Sequence, residues 1–455
     1  MTAPLPDDTP APWPARQRLA LHEELHARPP MAVAADSVVS TWVHWQMQPA
    51  RAEQALAVLC AAVGQPAPPA GVRRHVLKGP GWALKLERHG EFVSWQMTRP
   101  LGTDESAREG PGLAALLEQA NAHTRLPAAF TTLLSGEGAG ELISATHVLV
   151  LRADAGLVER CHGHFATPGA EPGAPLMASQ IADGAATVFT RLTVSTDGFT
   201  RFVLLDQGLT ADQAARSVQR LCEIDAYRMM AMLGFPVAQR EAAALAELET
   251  ALQGLVDAMA REASSPAEDA QSLEALTRLA AEVEHSASRT RYRFSATRAY
   301  RALVADRLGS LRERRIAGSR TLGGFLGHRF EPAIALCDST DHRLTDIAER
   351  INRAVSLARV RVEMKREASN QALLQAMVHR QKLQLRLQQA VEGLSVVAIS
   401  YYALSLVGYL AKAAKVLPAL EAWHLQPEVV VGVAVLPVVG AVTWFIHRFK
   451  RHMKD

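Results

Sequence analysis

Apolar positions recur with two different rhythms along this chain, and the change of rhythm divides it. Up to about residue 235, stretches that alternate apolar and polar residues mix with stretches whose apolar residues fall three and four apart. Alternation and β-branched content predict strands over 37–47, 75–78, 82–87, 92–98, 147–151, 186–194 and 200–205. The three-and-four spacing predicts helices over 15–27, 50–63, 112–122 and 211–233. Gly and Pro punctuate these elements, as in GQPAPPAG (64–71) and TPGAEPGAP (167–175). The order is mixed, not a regular β-α-β alternation, so residues 16–235 are expected to form an α+β domain behind a flexible tail, 1–15.

From residue 237 onward the strand rhythm stops. Residues 237–262 and 266–289 read as Ala/Leu/Glu helices around the break SSPAED, where Ser265 is a natural cap and Pro266 suits a first turn. An Arg-rich helix follows, carrying Arg289, Arg291, Arg293, Arg298 and Arg301, and then a second break, GSRTLGGFLGH (318–328). Residues 236–338 are therefore a helical region and 339–392 a stalk helix. Residues 339–411 contain no Pro, and one helix of that length would run about 100 Å.

Two charge-free runs close the pattern. GLSVVAISYYALSLVGYLA (393–411) and VVVGVAVLPVVGAVTWFI (429–446) are 19 and 18 residues long, close to the roughly 20 that span a bilayer. They predict a transmembrane hairpin over 393–446, with Tyr409 and Trp444 near segment ends and a kink at Pro437. Arg380, Lys382 and Arg386 precede the first run, and Arg448, Lys450, Arg451 and Lys454 lie in the basic tail 447–455. This bias places both termini in the cytoplasm of a bacterial inner membrane. The Pro-rich start, MTAPLPDDTPAPWPARQRL, lacks the apolar run of a secretory signal.

Alternating steps of three and four pick out a seam along the stalk and first run. It comprises Gln381, Gln384, Gln388, Val391, Ser395, Ala398, Tyr402, Ser405, Tyr409 and Lys412, all but Val391 polar or small. A period of 3.5 holds one face against a partner in a left-handed coiled coil, and polar groups facing lipid are costly. The preferred reading is a packing seam in a homo-oligomer; the alternative is a pore lining.

Composition narrows the chemistry. The chain is 48% hydrophobic and 21% charged, with a net charge of +3, which gives no case for nucleic acid. Its four cysteines, Cys60, Cys161, Cys222 and Cys337, are far apart and form no C-x-x-C pair, as suits a reducing compartment. His22-Glu23-Glu24-Leu25-His26 matches the H-E-x-x-H pattern of zinc hydrolases. Pro29 follows within a turn, however, and no later acid stands at a familiar third-ligand spacing, so His22 and His26 are weak metal candidates. Cys161-His162-Gly163-His164 reads as a loop without a second ligand cluster, and GSRTLGGFLGH lacks the G-K-[ST] of a phosphate loop. No catalytic residue and no cofactor is expected.

Two stretches, HEELHARPP and EGLSVVAISYYALSLVGYLAK, resemble a bacterial family of predicted membrane-anchored proteins, a domain of unknown function, and the likeness covers nearly the whole chain. In that family the first motif keeps both His and the A-R-P, while the residue between them varies. The resemblance therefore implies that Glu23 is incidental, and it carries no activity to any residue. The layout is also distantly similar to CorA-type magnesium transporters, pentamers whose first span lines a pore. That likeness would imply a divalent cation as cargo. The Gly-Met-Asn signature is missing: Val407-Gly408-Tyr409-Leu410 stands in its place. The sequence thus leads to a membrane-anchored scaffold or assembly protein, with a divergent cation channel second and a zinc hydrolase third.

Overall fold

The structure is a computed structural model and describes residues 18, 21–22, 29–102, 105, 108–154, 156–166, 175–261, 265–414 and 426–452. The predicted tail and most of the predicted helix over 15–27 lie outside these residues. The chain divides into two compact units, one of residues 1–257 and 275–353, the other of 258–274 and 354–455.

The first unit is built on one nine-stranded sheet in the order β2-β3-β4-β1-β5-β8-β7-β6-β9. The strands are β1 (Ser37–Trp45), β2 (Arg74–Gly79), β3 (Trp82–Arg88), β4 (Phe92–Pro100), β5 (Glu141–Arg152), β6 (Met177–Ile181), β7 (Ala186–Val194), β8 (Thr200–Asp206) and β9 (Arg314–Arg315). All neighbours pair antiparallel except β5 and β8. The mixed α/β character expected from the sequence is what forms.

The helices are α1 (Pro49–Ala62), α2 (Gly110–Gln119), α3 (Ala128–Ser135), α4 (Leu157–Ala166), α5 (Ala211–Met232), α6 (Gly234–Ala260), α7 (Pro266–Leu311), α8 (Leu322–Ala414) and α9 (Pro427–His452). Strand alternation sends Trp42, Trp95, Leu149 and Val203 to one face of the sheet, where Leu56 and Leu59 of α1, Leu116 of α2 and Phe130 of α3 meet them. Val39, Val148, Phe202 and Leu204 point the other way, against Val218, Leu221 and Met230 of α5, with Val304 of α7 and Phe330 of α8 behind. Both faces are covered, so β1 is buried along nearly its whole length.

Local chemistry sets the boundaries. β1 stops at Trp45 because Gln46 takes a φ of +57°, which breaks extended pairing. Just before β5, Gly140 has a φ of +72°, and a Cβ there would stand 2.1 Å from the Trp45 carbonyl oxygen. α5 opens on a capping box, in which the Thr210 hydroxyl accepts from Gln213 N and the Gln213 side chain accepts from Thr210 N. The predicted Ser265 cap forms the same reciprocal pair with Glu268.

Several expectations are corrected. β5 begins at Glu141, six residues before its predicted start, because its first half pairs with β1 as far as Trp45. Strand pairing does not stop at 237, since Arg314 and Arg315 add a ninth strand to β6. β6 itself, α3 and α4 were not predicted. α4 holds Cys161-His162-Gly163-His164, so that cluster lies on a helix and not in a loop. The stalk helix starts at Leu322, within GSRTLGGFLGH, and tolerates Pro332.

The second unit gathers the turn between α6 and α7 onto α8. Arg361 donates to the carbonyls of Met259 and Arg261, and Asp269 pairs with Lys365 and Arg361. Its apolar ends are exposed. The best membrane-length window in α8 is 6% buried and that in α9 is 0% buried.

One carboxylate fixes α5 to the sheet. Asp225 is sealed from solvent, accepts from Ser144 Oγ at 2.5 Å and Thr146 Oγ1 at 2.8 Å, and pairs with Arg228 at 2.6 Å. Removing one partner of a buried charged cluster strands the others. Asp225→Ala should destabilise the sheet unit by about 3 kcal/mol, and Ser144→Ala by about 1.5 kcal/mol. The urea midpoint of the full chain in detergent, followed by tryptophan fluorescence, measures both.

Candidate functional site

Where α5 crosses β1, β3 and β4, the sheet face is polar instead of apolar. Alternation in WALKLER sends Leu84 and Leu86 to the opposite core, which leaves Lys85 and Glu87 facing α5. In β4, Ser94 and Gln96 do the same. The roof is one stripe of α5, with Gln219, Cys222, Glu223 and Tyr227 at helical spacing, and Arg307 of α7 closes the rim. Between floor and roof lies a cavity of about 180 Å³.

Its charges come in opposite pairs. Lys85 is buried, with its ammonium 3.0 Å from Glu87. Glu223 accepts from Gln219 Nε2 at 2.6 Å and pairs with Arg307. The Gln96 side-chain nitrogen donates to the soft Sγ of Cys222 at 3.9 Å, and Thr41 Oγ1 donates to the same sulfur at 3.4 Å. Burial pushes the Cys222 thiol up to about 12, so it is protonated and not a nucleophile. His89 stacks on Phe92 at 4.1 Å, and Phe92 meets Tyr227 edge-on at 6.4 Å. This site is not among those read from the sequence: alternation makes two neighbouring strands polar on one face, but nothing local marks the helix that covers it.

The other sheet face holds a Ser-His-Asp array that spacing alone does not reveal. Ser40 Oγ lies 2.8 Å from His147 Nδ1, and His147 Nε2 lies 3.6 Å from Asp197 Oδ2. The geometry argues against a nucleophile. Ser40 and His147 are sealed, Ser40 Oγ already accepts from Ala122 N at 2.8 Å, and Phe199 stacks flat on the His147 ring at 3.9 Å. Burial, with Arg201 and His123 nearby, pushes His147 down to about 2, so it cannot serve as a base near neutrality. The array instead packs β1, β5 and β8 together.

Of the N-terminal metal candidates, His22 is helical and His26 lies outside the described residues. No group of three or more His, Cys, Asp or Glu suited to a metal occurs among the described residues. On α4 the three side chains diverge: Cys161 is buried, His162 faces Ser319 at 3.3 Å, and His164 reaches Glu118 at 3.4 Å.

The seam lies on α8. Gln381, Gln384, Gln388, Ala398, Tyr402 and Tyr409 are exposed, and Ser395 and Ser405 return hydrogen bonds to the carbonyls of Val391 and Tyr401. The end of the seam borders α9: Ser405, Tyr409 and Lys412 line a cleft with Pro427, Glu428 and Val431. Ser400 is buried, and a Cβ on Gly408 would stand 3.3 Å from Val431 Cγ2.

Fold and site define a class: a mixed α/β sheet domain with a small polar cleft, continued by a long helical region and two helices apolar enough to cross a membrane. The chain belongs to the family described as protein of unknown function (DUF3422), which matches residues 14–453. No curated protein and no solved structure matches it. The family resemblance read from HEELHARPP and the first apolar run is therefore correct, and the layout likeness to CorA-type transporters finds no support.

The buried histidines make a pH prediction. Burial lowers His44 to about 4 as well as His147 to about 2. Below the ordinary value near 6.5, the unfolded chain takes up protons there that the folded chain refuses. The stability these groups give is complete above pH 6.5 and is lost as pH falls toward their folded values, at about 1.4 kcal/mol per pH unit for each histidine. The urea midpoint should fall between pH 7 and pH 5, and less steeply in His147→Gln. An equal midpoint at both values contradicts the reading.

Proposed function

We propose that this protein is an integral protein of the bacterial inner membrane, acting as a homo-oligomeric scaffold or assembly protein rather than an enzyme. In this reading 393–411 and 429–446 cross the membrane as a hairpin and both termini are cytoplasmic. One observation carries it: among the described residues, the two helical windows long and apolar enough to cross a membrane are 6% and 0% buried by the chain itself. Apolar helices of this length that a soluble fold uses as core are covered by it; these are bare, and lipid is the covering that suits them. Arg448 over the Trp444 ring, at 5.2 Å, fits a basic, aromatic end at a headgroup layer.

Self-association is supported by the exposed side of α8. Tyr402 and Tyr409 are 73% and 71% exposed, although Tyr409 also borders a cleft shared with α9. Continuing the same three-and-four steps toward the N-terminus from Gln381 reaches Met377 and Leu374, which are exposed apolar residues. A row that starts apolar, passes through three Gln and ends in hydroxyl groups suits a parallel coiled coil of identical helices, because Gln pairs with Gln.

The membrane reading predicts that the full chain pellets with membranes at high speed and resists carbonate extraction. Recovery in the supernatant without detergent ends it. The seam reading predicts an oligomer in detergent that Gln381→Lys with Gln388→Lys disperses, measured by light scattering after gel filtration. An unchanged mass moves the interface elsewhere.

A further inference from the structure

We infer that the cleft between α5 and strands β1, β3 and β4 is a binding site for a small zwitterion of the free amino acid class. The site lies wholly in the sheet unit and is independent of how the chain is anchored.

Size is the first constraint. At about 180 Å³ the cavity is smaller than the roughly 300–1,000 Å³ of sites for drug-sized molecules, so it takes a small metabolite and excludes a nucleotide or a peptide. The second constraint is polarity around space. Lys85 and Gln96 are buried on a sheet face that otherwise meets α5 through apolar side chains and the Asp225 cluster, whose hydroxyls and guanidinium are spent on the carboxylate. A buried lysine is costly to keep, and a packed hydrophobic residue would stabilise the layer better. The Gln96 amide is served by a sulfur acceptor at 3.9 Å, which leaves most of its hydrogen-bonding capacity to whatever fills the cavity.

Charge selects the ligand. Floor and roof each present one cation and one anion, Lys85 with Glu87 and Arg307 with Glu223. A simple anion entering the cleft meets two carboxylates, and a simple cation meets an ammonium and a guanidinium. In a confined, poorly hydrated space such like-charge contacts are expensive. A molecule that carries both charges, separated by one or two carbon atoms, meets opposite partners at each end: its carboxylate the buried Lys85, its ammonium the Glu223 side of the roof. Thr41, Ser94 and Gln219 supply neutral donors and acceptors around it, and Phe92 against Tyr227 gives a short apolar side chain an aromatic wall.

The test is calorimetric titration of the full chain in detergent with glycine, L-alanine, L-serine, β-alanine and glycine betaine. L-alaninamide, which lacks the anion, and N-acetyl-L-alanine, which lacks the cation, are the controls, together with glycerol. At least one zwitterion should bind saturably, at one site, and lose at least about tenfold in affinity when either charge is removed from it. Lys85→Met and Glu223→Gln should weaken the same ligand by at least about tenfold, and so should Gln219→Ala, a milder change on the roof that spares the buried pairs should Lys85→Met fail to fold. Far-ultraviolet circular dichroism and the urea midpoint identify the variants that fold. The inference is overturned if no zwitterion binds more tightly than about 10 mM, if the amide, the N-acetyl compound or glycerol binds equally well, or if the folded variants bind like the parent.

Discussion

The Asp225 carboxylate is the constraint on which one whole side of the sheet unit depends. It is sealed from solvent, and its charge is tolerated because two β5 hydroxyls and the Arg228 guanidinium all turn toward it. That arrangement fixes the rotation of α5 as well as its height over the sheet. With Asp225 against β5, the turn of α5 carrying Gln219, Cys222 and Glu223 lies over β1, β3 and β4, and the cleft follows. Arg307 and Arg293 then tie α7 to the same region, the first through Glu223 and the second by a two-pronged pair with Glu91 at 2.9 and 3.1 Å.

Much of the fold was legible because it rests on local pattern. The strand over 186–194 and the cap at Ser265 were read from alternation and from the Ser-Pro step in the break SSPAED, and both form as read. What escaped depends on partners distant in sequence. β9 is two arginines held by β6, more than a hundred residues earlier, and nothing local marks Arg314 and Arg315 as a strand. α4 has a glycine at its centre and a Gly/Pro-rich stretch after it, so its helical propensity is poor and the packing of Leu157 and Cys161 into the core decides. The cleft was hidden for a related reason. Alternation shows that Lys85 and Glu87 share a face of β3, but not that a helix covers that face.

Two candidate chemistries, one read from the sequence and one seen only in the fold, dissolve for physical reasons. On a helix, neighbouring ligands point about 100° apart, so Cys161, His162 and His164 reach a core, a serine and a glutamate instead of one ion. Ser40 and His147 meet, but inside a stack with Phe199, where a protonated ring would have no water to solvate it. In both places the residue types of catalysis serve packing. The cleft differs in having paired charges around space rather than around side chains.

The sheet has two ends, and both are positively charged. β2 forms one border with Arg74 and Lys78, and β9 forms the other with Arg314 and Arg315. A strand at a border offers unpaired backbone amides and carbonyls to any extended chain, and cationic side chains repel an identical copy at that point. Strand addition by an identical copy is therefore disfavoured at either margin.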